Sequence, residues 1–282
     1  MSEIKDFVLH LRLNYNFLIL SAPFFLGALY LPKISSFTHF IFLFALIYIF
    51  LFGGANAYNS YFDKDEGPIG GLEHPPTMKK WMYFMAWIMQ ITGLILSFFA
   101  QSIFSILFIF SIILFWIYSS PNFRFKGKPI LSFIVIGIGT VFNTVLMGYL
   151  AAGGIILSTE LLIGAVGATL IILGMYPFSQ TYQINEDKKR GDTTFAVKYG
   201  INGIKRNYQF LFLLGVLLLS YSFLFNKTLA IIIFIIGLSA YLFIWQIIKT
   251  ISGDRSEYKK VMRTKYIAGL AFTLAMILLL IL

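Results

Sequence analysis

Asn56-Ala57-Tyr58-Asn59-Ser60-Tyr61-Phe62-Asp63-Lys64-Asp65-Glu66-Gly67-Pro68 closes a long apolar run that begins near residue 38. Gln180-Thr181-Tyr182-Gln183-Ile184-Asn185-Glu186-Asp187-Lys188-Lys189-Arg190-Gly191-Asp192 closes another that begins near residue 160. Sliding one segment onto the other superimposes Tyr58 on Tyr182, Asn59 on Gln183, Asp63 on Asp187, Lys64 on Lys188 and Gly67 on Gly191. In both, an amide, an amide and a carboxylate stand three and then four residues apart, the spacing of one face of an α-helix. Each apolar run is therefore read as a membrane helix that ends in one polar stripe. Polar stripes are costly at membrane depth, which makes them functional candidates.

The rest of the chain has the same build. Apolar spans recur near 13–31, 38–58, 81–99, 102–119, 130–150, 160–180, 208–225, 229–248 and 266–282, separated by short polar or Gly/Pro-containing connections. Hydrophobic residues make up 59% of the 282 residues and charged ones 12%, too few to cover a soluble surface. The sequence predicts an all-α integral membrane protein, a bundle of nine transmembrane helices in a single domain over residues 1–282. The first span is too long, and lacks the small-residue exit, for a cleavable signal peptide. The absence of cysteine excludes disulfides and thiolate chemistry.

A net charge of +10 would suggest nucleic acid in a soluble protein. Here the cations fall on one side of the predicted bundle, in the N-terminal arm and in connections 2–3, 4–5, 6–7 and 8–9, with only Lys33 and Lys227 opposite. That asymmetry predicts a cytoplasmic N-terminus, a C-terminus on the far side and no nucleic-acid partner. The same connections hold Asp63, Asp65, Glu66, Glu73, Glu186, Asp187 and Asp192, a majority of the twelve acidic residues.

If the two polar helix ends face each other, Asp63 and Asp187 bracket a chamber, with Asp65, Glu66 and Glu186 within reach. Opposed oxygen ligands of this kind suit Mg2+, which is commonly held by a few carboxylates, waters and substrate phosphates. The adjacent lysines and Arg190 suit phosphate. His10, His39 and His74 lie in separate segments and give no metal cluster. Most of the abundant Phe and Tyr residues read as lipid-facing bulk and interfacial belts.

On these motifs the sequence resembles the UbiA superfamily of intramembrane prenyltransferases. Asn59 and Asp63 match its first aspartate-rich motif, and Asp187, Gly191 and the stretch Thr194-Phe195-Ala196-Val197 match its second. Tyr118-Ser119-Ser120-Pro121 with Arg124, Phe125 and Lys126 is similar to its connection between helices four and five. The resemblance implies Mg2+-dependent transfer of a prenyl group from a prenyl diphosphate to an aromatic or other small lipophilic acceptor, within membrane lipid. It implies Asn59, Asp63 and Asp187 as catalytic residues. Diphosphate would be bound by Asn56, Lys64, Arg124, Lys126, Tyr182, Gln183 and Lys188, and metal by Asp63, Asp65, Glu66, Glu186 and Asp187. Three usual carboxylates are replaced, by Ser60, Gly67 and Gln183. The replacements leave two other readings open: a terpene cyclase of the same superfamily, which needs no acceptor, and a non-catalytic lipid-binding or transport protein.

Overall fold

The computed structural model describes residues 3–282. Among these residues the regular structure is helical; the only β pairing is an isolated bridge between Ile69 and Leu72. In lipid the backbone has no water to bond with, so each span must satisfy its own N–H and C=O groups, and the helix does this. The elements are α1 (Glu3–His10), α2 (Leu13–Ile19), α3 (Ala22–Ala28), α4 (Phe37–Asp63), α5 (Lys80–Ser97), α6 (Ser102–Ser119), α7 (Pro129–Ala151), α8 (Thr159–Arg190), α9 (Phe195–Tyr221), α10 (Lys227–Ile248) and α11 (Arg255–Ile281). Among the described residues, α4, α6, α7, α8, α10 and α11 are long and apolar enough to cross a membrane. The other three predicted spans are helical as well. On α5 the outward face is Phe84, Ile88, Ile91 and Ile95, an exposed apolar stripe at helical spacing.

Neighbouring helices close a ring. Helix α4 packs on α5 and α6, α6 on α7, α7 on α8, α8 on α9, α9 on α10 and α10 on α11, while α11 returns to α2 and α3. Helix α3 also packs on α7, where Gly27 and Gly148 let the two backbones meet. A Cβ at Gly27 would lie 2.0 Å from Val145 O, and one at Gly148 would lie 2.0 Å from Phe24 O.

The first span is not the continuous helix expected over 13–31. It breaks at Leu20–Ser21, just before Pro23, into α2 and α3. A break inside a membrane frees backbone groups, and α4 supplies their partners. Helix α4 widens to a π-turn over Leu46–Leu51. Asn16 Nδ2 donates to Tyr48 O on that turn at 3.1 Å, and Tyr48 OH donates to Leu20 O at 2.8 Å. Two irregular turns thereby satisfy one another.

Helix α8 also departs from a uniform α-helix. From Tyr176 to Gln183 it tightens to a 3-10 helix, then resumes as α over Ile184–Arg190. Pro177 is the cause: without an N–H it cannot bond to Leu173 O, one turn earlier. Asn207 Nδ2 on α9 donates to Leu173 O at 3.0 Å and to Gly174 O at 3.3 Å, occupying the freed carbonyls.

Candidate active site

The C-terminal ends of α4 and α8 lie on one cavity of about 260 Å³. Its polar end is walled by Asp63, Asp65, Lys126, Asp187, Arg190 and Asp192. Its apolar end runs between the helices past Phe52, Phe115, Ile136, Ile172, Met175 and Phe272. Phe52 is three turns before Asp63 on α4, so the cavity extends roughly 16 Å along that helix.

Helix α4 ends at Asp63 because Lys64 takes a left-handed conformation, φ 49°. The stripe of Asn56, Asn59 and Asp63 faces the cavity. Asn56 Nδ2 donates to Asn16 Oδ1 at 2.8 Å, and Asn59 Nδ2 to Ser119 Oγ at 2.9 Å. Asp63 is buried and pairs through Oδ1 with the Lys126 ammonium.

On α8, Gln180 and Gln183 are eclipsed by the 3-10 turn, and both still line the cavity together with Asp187. Gln180 Oε1 accepts from Ala196 N at 3.1 Å, and Gln183 Nε2 donates to Pro68 O at 3.2 Å, tying the loop after α4 to α8. Asp187 Oδ2 accepts from Thr194 Oγ1 at 3.1 Å.

Arg190 ties the two motifs together. Its Nη1 donates to Asp65 Oδ1 at 2.5 Å and to Asp63 O at 3.0 Å, and its Nη2 lies 3.4 Å from Asp187 Oδ1. Arg124 holds Asp192 through two bonds of 2.7 and 2.8 Å. These bonds raise the Arg124 pKa above its ordinary value, and burial opposes them only in part. The loop over the polar end is also fixed from α1, where His10 Nε2 lies 2.8 Å from Pro76 O. Burial lowers the His10 pKa, so the ring serves as a neutral donor there.

Several of the residues singled out from sequence lie elsewhere. Lys64 is exposed beyond the turn that its own left-handed backbone makes, and Lys188 is exposed because one residue beyond Asp187 turns about 100° round the helix. Glu66 is exposed, and its N–H donates to Glu186 Oε1 at 3.3 Å at the outer rim. Neither glutamate lines the cavity, and Arg124 reaches it only through Asp192. Tyr182 does line it and is buried. Tyr58 instead belongs to an aromatic cluster with Phe62, Tyr83 and Trp87.

Cavity residues that the motifs did not flag include Arg12, Tyr15, Tyr176 and Lys265, whereas Tyr118 belongs to the family-like connection between α6 and α7. The Tyr118 and Tyr176 hydroxyls are 2.9 Å apart. Arg12 lies in the N-terminal arm and Lys265 in the connection before the last span, segments whose cations mark the topology.

No group of three or more His, Asp or Glu residues is placed to cage a metal ion among the described residues. Mg2+ needs no such cage. One or two carboxylates with waters and substrate phosphates suffice, and Asp63 and Asp187 both present carboxylates to the cavity. The donor set fits a cation shared with a phosphorylated ligand.

A family model described as the UbiA prenyltransferase family matches residues 20–276. A search of curated proteins finds no match. Among solved structures, a UbiA homolog from Archaeoglobus fulgidus bound to GPP and Mg2+ is similar with a TM-score of 0.77 at 17% identity, over 98% of this chain and 100% of that one. An apo UbiA homolog from Aeropyrum pernix K1 gives 0.66 at 16% identity, covering 94% and 98%. A digeranylgeranylglyceryl phosphate synthase gives 0.66 at 20% identity over the whole of both chains.

Proposed function

This chain belongs to the UbiA prenyltransferase family, an integral membrane family, and from that premise we propose that it transfers a prenyl group from a prenyl diphosphate to a lipophilic acceptor, with Mg2+. The observation that carries the proposal is the meeting of Asp63 and Asp187, from helices far apart in sequence, at the polar head of one cavity whose body is apolar. A charged head with an isoprenoid tail has that same division. GPP and Mg2+ bound to the Archaeoglobus homolog support this donor class.

Without substrate, the buried acids and bases neutralise one another, Lys126 with Asp63 and Arg190 with Asp65 and Asp187. Buried charges need such partners. We infer that donor binding would exchange them: Asp63 and Asp187 would hold Mg2+, while Lys126 and Arg190 would bind the diphosphate oxygens. The bound cation supplies neutralisation of negative charge on the leaving group. Lys126 and Arg190 add donors aimed at that same charge. As the allylic C–O bond breaks, both its electrons leave with the diphosphate. The aromatic walls at Tyr118, Tyr176 and Phe115 keep water from the allylic cation and stabilise it through their ring faces. The acceptor then forms the new bond to carbon and gives up a proton.

The cation asymmetry supports placing the polar end of the cavity at the cytoplasmic face, with nine crossings, the N-terminus inside and the C-terminus outside. A C-terminal tag reached by reagents from the cytoplasm of intact cells would contradict this orientation. For the activity, purified protein is incubated with Mg2+ and prenyl diphosphates of increasing length, and diphosphate release is followed. Release that depends on Mg2+ is expected, and its absence with every donor would sink the proposal.

A further inference from the structure

Two matching polar stripes invite two metal ions, one on each helix end, but the positions at which acids are replaced are committed elsewhere. Ser60 Oγ accepts from Arg12 Nη2 at 2.8 Å. The space beside Gly67 is filled by other side chains, for a Cβ there would fall 2.6 Å from Glu186 Oε2 and 3.1 Å from Arg255 Nη2. Gln183 gives its Nε2 to Pro68 O at 3.2 Å. An arginine therefore stands beside two of the three replaced acids.

A third arginine, Arg190, occupies the ground between the stripes. Its Nη1 lies 2.5 Å from Asp65 Oδ1, its Nη2 3.4 Å from Asp187 Oδ1 and 3.9 Å from Glu186 Oε1, and its Nε 3.9 Å from Asp192 Oδ2. Carboxylate oxygens converging from two motifs are the setting of a hard metal cation, and here the cation belongs to the chain. Nη1 is spent on Asp65 and on Asp63 O. The edge formed by Nε and Nη2 is not, for Nη2 has one long bond and Nε has no hydrogen bond. Arg124 shows the same edge satisfied, holding Asp192 side-on through Nε and Nη2 at 2.7 and 2.8 Å. A phosphate offers that edge two oxygens just as a carboxylate does.

The charge on the wall points the same way. Asp63, Asp65, Asp187 and Asp192 face Arg12, Lys126, Arg190 and Lys265 across the cavity, with Arg124 behind Asp192. The side chains of Arg12 and Lys265 hydrogen-bond to the neutral hydroxyls of Ser60 and Tyr15 and, among the described residues, have no carboxylate within ion-pair distance. Cations thus outnumber acids by one before any ligand binds. A prenyl diphosphate brings roughly three negative charges, one on the inner phosphate and up to two on the outer. One Mg2+ then brings the whole close to neutrality, whereas a second would leave about two positive charges buried without partners, a costly state. We propose that Arg190 is a built-in cation standing where a second metal ion would bridge the motifs, so that the diphosphate is bound by one Mg2+ and by the open Nε–Nη2 edge of Arg190. The proposal rests on the prenyl-transfer reading above, which supplies the diphosphate. Asp65 anchors Nη1 throughout, leaving Asp187 to Mg2+.

The test counts metal on the full-length protein in phosphatidylcholine nanodiscs with saturating geranyl thiodiphosphate, a donor analogue that resists ionisation. Mn2+ is titrated in and the bound ions are read by electron paramagnetic resonance. One tightly bound Mn2+ per protein is expected, with no spin coupling between ions. Arg190→Met should weaken analogue binding about tenfold at the same Mn2+ concentration, as loss of a charge-assisted bidentate contact implies, and should admit a second Mn2+ between Asp65 and Asp187. Arg190→Lys keeps the charge and should keep the count at one. The wild-type count does not depend on whether the variants fold. Two Mn2+ on the wild type, or an unaltered count and affinity in Arg190→Met, would overturn the proposal and leave the prenyl-transfer reading standing. A wild type that binds no analogue at any Mn2+ concentration would overturn that reading and the proposal with it.

Discussion

The two motif-bearing helix ends carry matching stripes on unlike backbones. Helix α4 runs as unbroken α-helix from Phe52 to Asp63 and stops there. Helix α8 loses its α-form at Tyr176, passes through eight residues of 3-10 helix and presents Asp187 from a separate short α-segment. Long 3-10 runs have poorer hydrogen bonds and often mark hinges. The first carboxylate is fixed by its helix. The second is fixed by side chains brought to it, from Arg190 and Thr194. A site with one rigid and one adjustable half can admit a charged ligand and then close on it.

The largest effect should not distinguish the halves. Asp63→Ala and Asp187→Ala should each lower diphosphate release about a thousandfold, the scale of losing a main electrostatic partner of the transition state. Normal Mg2+-dependent release in both variants would mean that neither half works as proposed. Lengthening the side chain should separate them. Asp187→Glu should retain roughly tenfold more activity than Asp63→Glu, since the segment carrying Asp187 can shift by an ångström and the end of α4 cannot. Equal losses would break the contrast.

A smaller effect probes its cause. Pro177→Ala restores an N–H able to bond to Leu173 O, in competition with Asn207. The α-form should extend toward Gln183 and turn Gln180 and Gln183 away from their present positions, with a loss of about tenfold in kcat/KM. Activity unchanged alongside an α-helical 176–183 segment would show that the hinge is idle. Least affected should be Ser60→Ala. It removes one neutral acceptor from Arg12, and a change in diphosphate release of no more than about threefold is expected.

Much of this was legible in the sequence because it depends on local spacing. The apolar runs gave the helices, and the repeated amide-amide-carboxylate spacing pointed to Asp63 and Asp187 as the residues that share a cavity. Proximity in sequence misled at Lys64 and Lys188, where a left-handed turn and a 100° step decide direction. The broken first span and the 3-10 segment had visible prolines, Pro23 and Pro177, but a proline alone does not say whether the chain can tolerate a break in lipid. That depends on Asn16, Tyr48 and Asn207, contributed by other helices. Arg12 and Lys265 were counted as cations of the cytoplasmic side, and only the packing reveals that they lack acids.

The wide turn at Leu46–Leu51 also makes the site a matter of counting. A π-turn is, in effect, one residue inserted into an α-helix, so everything after it on α4 is rotated by about 100° from the phase set by residues 37–45. Excising one residue from 46–51 would restore a uniform helix, by every local criterion a better one. It would also swing Asn56, Asn59 and Asp63 off the cavity and deprive Asn16 of its carbonyl. Homologous chains that keep the site should therefore conserve the length of this segment more strictly than its letters, and a single-codon deletion here should be far more damaging than a substitution.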